Sequence, residues 1–591
     1  MQQKDVLLTN KESKEMPQKD AKPTETMNGA RALVLSLIAE GVDTIFGYPG
    51  GAIMPTYDKL FDYLDQINHV LTRHEQGSVH AAQGYARTSG KVGVAISTSG
   101  PGATNMITGL GDAMMDSNPI VCITGQVASQ LLGTDAFQET DVVNTTIPVT
   151  KWNVQVTRAE DIPEAIAKAF YIAKSGRPGP VVVDITKDAQ ISDMEFKGYE
   201  PCKKIETYFP NPELNLDKVK EAAALINQSK KPYILAGQGI LLSGAEKEAQ
   251  TLAEKADIPV ASTLLGLSAF PTDHPLYNGF LGMHGNYSCN KLLNECDLLI
   301  SIGMRFDDRI TGDPNRFAKQ AKIIHFDIDA SEIDKIIKTD VGILADAKEA
   351  LSALLPLVNE ASHKDWLAEF KVFEREEYNK IIDDEWFPKA GMIRMGEVVH
   401  KLSEKTEGKA VVVSDVGQHQ MITSRYYDFK LANSHVTSGG MGTMGFGLPA
   451  AMGACLGASG RETYAIVGDG GFQMTLQELG TIASNNIPLK IIILNNRFLG
   501  MVRQWQQLFF DKRYSFTDID SPDFVKLADA YGIPGKSVEV REHLDDAIDE
   551  MRKHDGPYLL EINVEKEDNV FPMVPSGACV SDMMLELPSD K

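Results

Sequence analysis

Cysteine is scarce in this sequence and forms no recognisable pattern. The 591 residues include six cysteines, at Cys122, Cys202, Cys289, Cys296, Cys455 and Cys579. No Cys-x-x-Cys pair occurs and no histidine stands at a spacing suited to zinc, which excludes a zinc module. Isolated cysteines of this kind are typical of a reducing compartment, where disulfides do not form.

Positive charge is also in short supply. The chain carries 58 Lys and Arg against 81 Asp and Glu, which gives a formal net charge of −23 at pH 7. Nucleic acid and anionic membrane surfaces carry the same sign of charge, so this balance excludes them as partners. An anionic substrate must therefore be bound by local cations.

Long apolar runs are absent as well. No run approaches the roughly 18 residues that a membrane helix needs, so we expect no membrane segment. The first two dozen residues are rich in Lys, Glu, Gln and Asp and lack the apolar core of a secretory signal. Residues 1–26 are predicted to be a disordered tail, and the protein is predicted to be cytoplasmic.

Several common catalytic motifs are missing too. The sequence contains no Gly-x-Ser-x-Gly elbow and no His-Glu-x-x-His. Gly535-Lys536-Ser537 suggests a nucleotide-binding loop, but Ala530 stands where a Walker motif needs its first glycine. The Walker motif is therefore rejected, and no motif favours an α/β-hydrolase or a zinc protease.

Short Val/Ile-rich segments alternate with helical patterns along most of the chain, which predicts an α/β protein with three doubly wound parallel-sheet domains. The first and third domains share an outline of strand, Gly-rich turn and helix, which favours an old duplication. The predicted divisions are a first domain 27–195, a linker 196–215, a central domain 216–363, a linker 364–391, a third domain 392–566 and a C-terminal tail 567–591.

The most informative stretch joins Gly468-Asp469-Gly470 to Asn495-Asn496, about twenty-five residues further on. Residues 463–467 and 489–494 are short and apolar and are predicted strands, with a helical pattern over 474–485 between them. Ligands bind beyond the carboxyl ends of parallel strands, so we expect Asp469 and Asn496 to face one crevice.

One carboxylate and one amide oxygen suit Mg²⁺, which binds oxygen ligands and usually keeps water or phosphate oxygens as well. Alone, Gly-Asp-Gly is typical of a turn and Asn-Asn of a loop. Together, at this spacing, they are similar to the diphosphate-anchoring motif of thiamin diphosphate enzymes. Such enzymes need a shielded carboxyl to activate the cofactor, and Glu75 is the candidate because it lies between a strand-like run and a small-residue helix. An isolated loop glutamate is otherwise usually a solvated surface charge.

Further motifs occur in the order found in one enzyme family. They are Tyr48-Pro49-Gly50-Gly51, Arg73-His74-Glu75-Gln76, Gly133-Thr134-Asp135-Ala136-Phe137-Gln138-Glu139, Arg305-Phe306-Asp307-Asp308-Arg309, Thr443-Met444-Gly445, Gly468-Asp469-Gly470 and Met501-Val502-Arg503-Gln504-Trp505. From about Met27 to Pro575 the chain resembles the acetohydroxyacid synthase family, also called acetolactate synthases, in its FAD-containing biosynthetic catalytic subunit.

The resemblance implies three domains of the thiamin diphosphate enzyme type, which bind in turn the cofactor's pyrimidine, FAD, and the diphosphate with Mg²⁺. It implies Glu75 as the catalytic residue, and Asp469, Asn496 and the main-chain carbonyl of Phe498 as metal ligands. The implied thiamin diphosphate contacts are Gln418, His419, Gly442, Met444, Gly470 and Gly471. The implied FAD contacts are Arg177, Gly237, Gly239, Thr263, Leu264, Met283, His284, Gly303, Arg305, Asp307, Arg309, Asp327, Ile328 and Asp346.

The implied reaction decarboxylates pyruvate and joins the two-carbon unit to a second 2-keto acid, either pyruvate or 2-oxobutyrate, in branched-chain amino acid biosynthesis. FAD then takes part in no net redox step. Arg309 is implied to bind the acceptor carboxylate, and Trp505 to favour the longer acceptor. The implied substrate channel consists of Gly51, Phe137, Gln138, Lys187, Arg309, Met501 and Trp505.

The resemblance also implies a homodimer or a dimer of dimers, with the Glu75 segment of one chain meeting the Asp469 segment of another. A small regulatory subunit is the further expected partner. Two other interpretations stay open at this point. The chain could be a pyruvate oxidase or decarboxylase with the same cofactors, or a non-catalytic relative that binds nucleotide as a scaffold.

Overall fold

The computed structural model describes residues 25–587. Residues 1–24 of the predicted disordered tail lie outside this range, as do residues 588–591 of the predicted C-terminal tail. The prediction of a tail is wrong for Glu25 and Thr26. Both belong to a strand and pair antiparallel with Phe196 and Glu195, because backbone groups of the first domain are available there as partners.

The first domain wraps helices around one parallel sheet and adds a two-stranded antiparallel ribbon, β1 with β8. Its elements are β1 (Glu25–Asn28), α1 (Gly29–Ala39), β2 (Thr44–Gly47), α2 (Met54–Leu60), β3 (Asn68–Leu71), α3 (Glu75–Ser89), β4 (Gly93–Ser97), α4 (Pro101–Asn105), α5 (Ile107–Met115), β5 (Ile120–Gln126), α6 (Val142–Thr146), β6 (Trp152–Val156), α7 (Ile162–Lys174), β7 (Val181–Thr186), α8 (Lys187–Ile191) and β8 (Asp193–Phe196).

The central domain follows residues 197–215, which lie outside the helices and strands, whereas Phe196 of the predicted linker still belongs to β8. Its elements, with two helices that follow it, are α9 (Leu216–Gln228), β9 (Pro232–Ala236), α10 (Gln238–Ser243), α11 (Glu246–Ala256), β10 (Val260–Ser262), β11 (Tyr277–Phe280), α12 (Tyr287–Leu293), β12 (Leu298–Ile302), α13 (Asp308–Thr311), β13 (Lys322–Asp327), β14 (Val341–Leu344), α14 (Ala347–Leu354), α15 (Lys364–Glu377) and α16 (Asp383–Trp386).

The third domain again alternates strands and helices. Its elements are α17 (Met395–Thr406), β15 (Val411–Ser414), α18 (Gln418–Tyr426), β16 (His435–Thr437), α19 (Gly447–Gly457), β17 (Thr463–Gly468), α20 (Asp469–Thr475), α21 (Leu479–Ser484), β18 (Lys490–Asn495), α22 (Gly500–Phe509), α23 (Phe524–Ala530), β19 (Gly535–Val538), α24 (Leu544–Lys553) and β20 (Tyr558–Asn563). The helix predicted over 474–485 is interrupted by a 3₁₀ turn at Leu476–Glu478.

Each domain contains one six-stranded parallel sheet, which confirms the predicted fold class. The first sheet has the order β3-β2-β4-β5-β7-β6 and the third β16-β15-β17-β18-β20-β19. When the strands are numbered within each six-stranded sheet, both orders read 2-1-3-4-6-5. The similarity predicted between the first and third domains therefore extends to topology. The central sheet, β11-β10-β9-β12-β13-β14, instead has the order 3-2-1-4-5-6 of dinucleotide-binding folds.

The first and third domains of one chain share a continuous apolar core. Helices α3 and α19 cross within it at main-chain distance, because glycine replaces a side chain at each crossing point. A Cβ on Gly84 would lie 1.9 Å from the carbonyl oxygen of Ala450, and one on Gly453 would lie 1.8 Å from that of Ala81. Neither position can hold a larger residue unless the helices separate.

Two segments predicted as linker and tail are ordered against the central domain. Within residues 364–391, α15 packs Trp366 and Phe370 into the core around Tyr233. Beyond residue 567, Cys579 and Val580 join the same core. Apolar side chains at helical spacing explain the first segment. The second has no such sequence signal.

No helix within residues 25–587 is long and apolar enough to cross a membrane. The predicted cytoplasmic location stays a prediction.

Candidate functional site

Asp469 and Asn496 lie next to each other at the carboxyl edge of the third sheet. Strands β17 and β18 are parallel neighbours in which Gly468 pairs with Leu494, so the residues that follow both strands emerge on the same side. Both side chains are shielded from water, with exposed fractions of 1% for Asp469 and 5% for Asn496. The spacing of the two motifs therefore produces the crevice that the sequence predicts.

Asp469 is a buried carboxylate stabilised only by neutral donors. Ser521 Oγ donates to its Oδ2 at 2.9 Å. Burial raises the pKa of Asp469 to about 6, and the groups that oppose this rise are the Ser521 hydroxyl and backbone N–H groups. A carboxylate in this environment suits a bound cation, because the cation would offset the desolvation of its charge.

Asn496 completes an oxygen-rich set without forming a closed metal cage. Its Oδ1 accepts from the backbone N–H of Phe498 at 3.1 Å, and its Nδ2 donates to Gln418 Oε1 at 3.2 Å. No cluster of three or more His, Cys, Asp or Glu within residues 25–587 could hold a metal ion by itself. One carboxylate with amide and main-chain oxygens fits Mg²⁺, which commonly takes its other ligands from water and phosphate.

A cavity of about 230 Å³ opens beside these residues. It brings together all of the residues predicted for the diphosphate and the metal, and one from the predicted channel: Gln418, His419, Gly442, Met444, Asp469, Gly470, Gly471, Asn496, Phe498 and Met501. Burial lowers the pKa of His419 to about 3, and its Nε2 has no hydrogen-bond partner. The cavity therefore offers a neutral, unpaired ring nitrogen to a ligand.

Asp415, which the sequence analysis missed, lies behind the wall of this site: a Cβ on the cavity-lining Gly471 would lie 2.8 Å from Asp415 Oδ2. It directly follows β15 and is fully buried. Its carboxylate accepts from the backbone N–H of Val416 at 2.6 Å and of Gly445 at 3.0 Å, next to Met444. Burial raises the pKa of Asp415 to about 7. An acidic residue directly after an apolar strand, as at Asp469, was the available signal.

Glu75 begins α3 immediately after the turn that follows β3, at the predicted strand-to-helix junction. Its side chain is buried, and its Oε2 accepts from Asn105 Nδ2 at 2.9 Å. Asn105, at the end of α4, was not identified from the sequence. No residue of the first domain, Glu75 included, lines the 230 Å³ cavity of the same chain.

The predicted channel residues fall into two groups in the single chain. Phe137, with an exposed fraction of 88%, lies with Gly51, Gln138 and Lys187 in the segments that follow strands of the first sheet. In the third domain, Met501 lines the 230 Å³ cavity, and half-buried Trp505 packs on Phe509 with ring centroids 5.1 Å apart. The single chain does not bring the first group to this cavity.

A larger cavity of about 400 Å³ lies where all three domains meet. It collects eleven of the fourteen residues predicted to contact FAD: Arg177, Gly239, Thr263, Leu264, Gly303, Arg305, Asp307, Arg309, Asp327, Ile328 and Asp346. The cavity borders the carboxyl ends of β9 and β12, where the strand order of the central sheet reverses. That is the position at which open parallel sheets bind dinucleotides.

The charges of this larger cavity also suit a dinucleotide. Arg177 donates to Asp329 at 3.2 Å and to Glu332 at 3.0 Å, and with Arg305 it lines one side of the cavity. Burial raises the pKa of Asp327, at the end of β13, to about 6. Arginines match phosphate oxygens, and an acidic residue at a strand end can accept from ribose hydroxyls.

Three residues predicted to contact FAD are not among those that line the cavity. A Cβ on Gly237 would lie 2.2 Å from the carbonyl oxygen of Gly303, so glycine is required there for the close approach of two strand ends. Met283 accepts a contact from Arg309 Nη1 at 3.0 Å through its sulfur. His284 is buried, and both of its ring nitrogens lack partners.

Comparisons with known proteins agree with this architecture. Models of the thiamine pyrophosphate enzyme family match all three domains. The N-terminal TPP binding domain matches residues 27–145, the central domain 219–354, and the C-terminal TPP binding domain 415–562. Together they cover more than half of the chain and support thiamin diphosphate as a cofactor.

Individual relatives are similar over almost the whole chain. The acetolactate synthase isozyme 2 large subunit of Escherichia coli is 44% identical over 562 residues, which cover 95% of this chain and 100% of that protein. The acetolactate synthase large subunit of Lactococcus lactis is 44% identical over 566 residues, with coverages of 95% and 96%. That of Corynebacterium glutamicum is 44% identical over 577 residues, with coverages of 95% and 91%. The chain therefore belongs to the acetolactate synthase large-subunit family of thiamine pyrophosphate enzymes.

Proposed function

We propose that this chain is the catalytic large subunit of an acetolactate synthase. It decarboxylates pyruvate and transfers the two-carbon unit to a second pyruvate, giving 2-acetolactate, or to 2-oxobutyrate, giving 2-aceto-2-hydroxybutyrate. These reactions belong to branched-chain amino acid biosynthesis. The observation that carries the proposal is the 230 Å³ cavity, because one buried carboxylate, three side-chain amides and six glycines line it together.

Asp469, Asn496 and the carbonyl of Phe498 would hold Mg²⁺, and the ion would fix the diphosphate of thiamin diphosphate against Gly470 and Gly471. When bound, thiamin diphosphate supplies a nucleophilic carbon and an electron sink for loss of carbon dioxide. Further residues of the same cavity would orient the rings of the cofactor: Gln418, His419, Gly442 and Met444. The bulk of Met444 would restrict how those rings can be oriented.

Glu75 would hold a proton at the far nitrogen of the cofactor's pyrimidine ring. Its burial and its single hydrogen bond from Asn105 to Oε2 leave Oε1 available for that purpose. Because no first-domain residue lines the cavity of the same chain, we propose that Glu75 serves the cavity of a second copy. The active unit is then a homodimer or a dimer of dimers.

FAD would occupy the 400 Å³ cavity among the three domains. The arginines there suit its diphosphate, and the reaction needs no oxidation or reduction, so FAD would shape the active site. Gly237, Met283 and His284 stay proposed contacts at the edge of that cavity.

The substrate channel would form where the first domain of one copy covers the third domain of another. Gly51, Phe137, Gln138 and Lys187 would come from the first, and Met501 and Trp505 from the second. Arg309 is the proposed partner of the acceptor carboxylate. Discrimination by one methylene is worth only about 1–3 kcal/mol, so Trp505 would bias the choice of acceptor without making it absolute.

A small regulatory subunit is the proposed protein partner. The support is that the relatives are named large subunits, a term that presupposes a smaller one.

A pyruvate assay tests the proposed function. Purified protein is incubated with pyruvate, thiamin diphosphate, Mg²⁺ and FAD, and the products are separated. We expect 2-acetolactate and carbon dioxide, with a mixed product when 2-oxobutyrate is added. Hydrogen peroxide or free acetaldehyde without acetolactate would instead identify a pyruvate oxidase or decarboxylase. A complete lack of turnover, with cofactors bound, would support a scaffold.

A further inference from the structure

One loop of the third domain separates the two cavities. Residues 438–445, which we call the bridging loop, connect β16 to α19. Gly439 and Gly440 line the 400 Å³ cavity, while Gly442 and Met444 line the 230 Å³ cavity. The loop therefore presents its first half to one proposed ligand and its second half to the other.

Asp116 of the first domain holds the half that faces the larger cavity. Its carboxylate accepts from the backbone N–H of Gly439 at 2.8 Å and of Gly440 at 2.6 Å. A Cβ on Gly440 would lie 2.9 Å from Arg305 Nη2 and 3.0 Å from Asp116 Oδ1. The loop is thus confined between a cation of the cavity wall and a buried carboxylate.

Asp112, one turn earlier in the chain, joins the start of the loop to its second half. Its Oδ1 accepts from Ser438 Oγ and from Thr443 Oγ1, the latter at 2.8 Å. Ser438 Oγ in turn accepts from the backbone N–H of Thr443 at 2.8 Å, which closes the loop on itself next to Met444. Asp112 and Asp116 together therefore hold both halves of the bridging loop.

Burying these two aspartates together is unfavourable in itself. Burial raises the pKa of Asp116 to about 6, with the neighbouring charge of Asp112 adding to the rise, while Arg87 opposes it. The Oδ2 of Asp112 has no hydrogen-bond partner. Neither carboxylate lines either cavity, and four of their hydrogen bonds go to the bridging loop. These hydrogen bonds to the loop, together with the charge of Arg87, offset the desolvation of the two carboxylates.

We propose that Asp112 and Asp116 are positioning residues that make the bridging loop a link between the two cavities, so that FAD and thiamin diphosphate tighten each other's binding. The inference depends on the proposed function, because it assigns those cofactors to those cavities. Both ligands contact the loop in the shape that these hydrogen bonds hold, and the unfavourable burial of the two carboxylates works against that shape. The first ligand to bind therefore bears the cost of keeping the shape, and the second binds more tightly. Linkage requires the effect to be equal in both directions.

Titration of the full-length apoprotein tests the link. The Kd of thiamin diphosphate with Mg²⁺ is measured by calorimetry without FAD and with saturating FAD, and the Kd of FAD is measured in the reciprocal way. We expect each cofactor to tighten the other by the same factor, about 5-fold or more. Equal Kd values in the presence and absence of the other cofactor would overturn the proposal.

Variants locate the effect in the aspartate pair. Asp116→Asn removes one of two acceptors, so the loop is less ordered without ligand. The Kd of thiamin diphosphate should then rise in the absence of FAD and recover when FAD is saturating, which makes the coupling factor larger than in the wild type. Thr443→Val removes the hydroxyl that donates to Asp112 and should act in the same direction. Because Thr443 is only half-buried, this variant carries less risk to folding. If saturating FAD does not restore the Kd of thiamin diphosphate in either variant, the proposal is contradicted.

Asp184→Asn is the matched control. Asp184 is also a buried carboxylate of the first domain, but it accepts from Thr124 at 2.6 Å and from Gln155 at 2.9 Å, within its own domain. Its replacement should leave the coupling factor at the wild-type value. If the coupling factor rises equally in Asp184→Asn, the effect comes from a general loss of rigidity in the first domain, and the proposal is also overturned. If a cofactor fails to bind the wild type at all, the proposed function fails instead.

Discussion

The first and third domains have the same strand order but opposite surfaces at the carboxyl edge of the sheet. After the first strand of each sheet, the third domain places Asp415, which is 0% exposed, and the first domain places Tyr48, which is 42% exposed. The third domain encloses a cavity around Asp469, whereas the first leaves Phe137 in solvent. Sheet topology therefore does not determine which edge can enclose a ligand.

The two edges therefore offer different chemical groups. The closed edge has the buried oxygens and glycines that a diphosphate and a metal need. The open edge has an acid, Glu75, and exposed apolar side chains that lack a covering surface in the single chain. Two copies, each offering its open edge to the closed edge of the other, would satisfy both, which is the arrangement expected for a symmetric dimer.

Mixing two inactive variants gives the largest expected effect. Glu75→Gln and Asp469→Asn should each lower turnover by roughly 10²- to 10⁴-fold, since one loses the proposed proton carrier and the other the proposed metal ligand. If sites form between copies, a hybrid of the two variants contains one intact site. Refolding them together in equal amounts should then restore roughly a quarter of wild-type acetolactate production for a two-fold dimer. Recovery of none of it would mean that each site lies within one chain.

The glycines between the two domains come next in expected effect. Gly84→Ala places a Cβ 1.9 Å from the Ala450 carbonyl oxygen, so α3 and α19 must move apart. Overpacking of this kind costs about 1–3 kcal/mol, and more where backbone is the obstacle. The denaturant midpoint should fall accordingly. Gly51→Ala, whose Cβ would meet nothing within 4 Å, is the control and should leave the midpoint near the wild-type value.

Removing divalent metal should affect the closed edge alone. With EDTA, the Kd of thiamin diphosphate should rise by about tenfold or more, because the loss of a charged contact costs at least about 1.5 kcal/mol. The Kd of FAD, measured without thiamin diphosphate, should stay unchanged, since its proposed cavity needs no metal. An equal rise in both Kd values would show that FAD binding also depends on the metal.

The pH dependence of stability gives the smallest expected effect for a change of one pH unit. Burial raises the pKa of Asp415 to about 7, so between about pH 4 and pH 7 the folded protein keeps a proton that the unfolded chain has lost. Stability contributed by this group therefore falls as pH rises through that window, by at most about 1.4 kcal/mol per unit. Asp415→Asn should show a shallower fall in thermal midpoint from pH 5 to pH 7, and the difference should level off above pH 8. Parallel curves of thermal midpoint against pH for the wild type and the variant would contradict this prediction.

Local sequence patterns predicted the parts of the structure that depend on neighbours in the chain. The strands that end at Gly468 and Asn495 are apolar, short and followed by polar residues, so their pairing and the meeting of Asp469 with Asn496 follow from general rules. Glu75 could likewise be assigned to a strand-to-helix junction. These features need no knowledge of distant contacts.

The features that were missed depend on what covers a residue in space. Nothing near Asp116 in sequence indicates that the backbone of Gly439, more than three hundred residues away, would be its partner. The segment beyond residue 567 has no periodic pattern, yet Cys579 packs into the central domain. Desolvation and long-range pairing are properties of the assembled chain, so the composition of a short segment does not encode them.

The crossing of α3 and α19 has a consequence for motion. Two stretches of polypeptide whose main chains touch have no compressible layer of side chains between them, so neither can slide or tilt alone. The acid at the start of α3 and the edge that carries Asp469 in the same subunit must then move as one body. Under the proposed function, any opening that admits a keto acid or releases a product would have to occur along the proposed boundary between copies, where side chains can still rearrange.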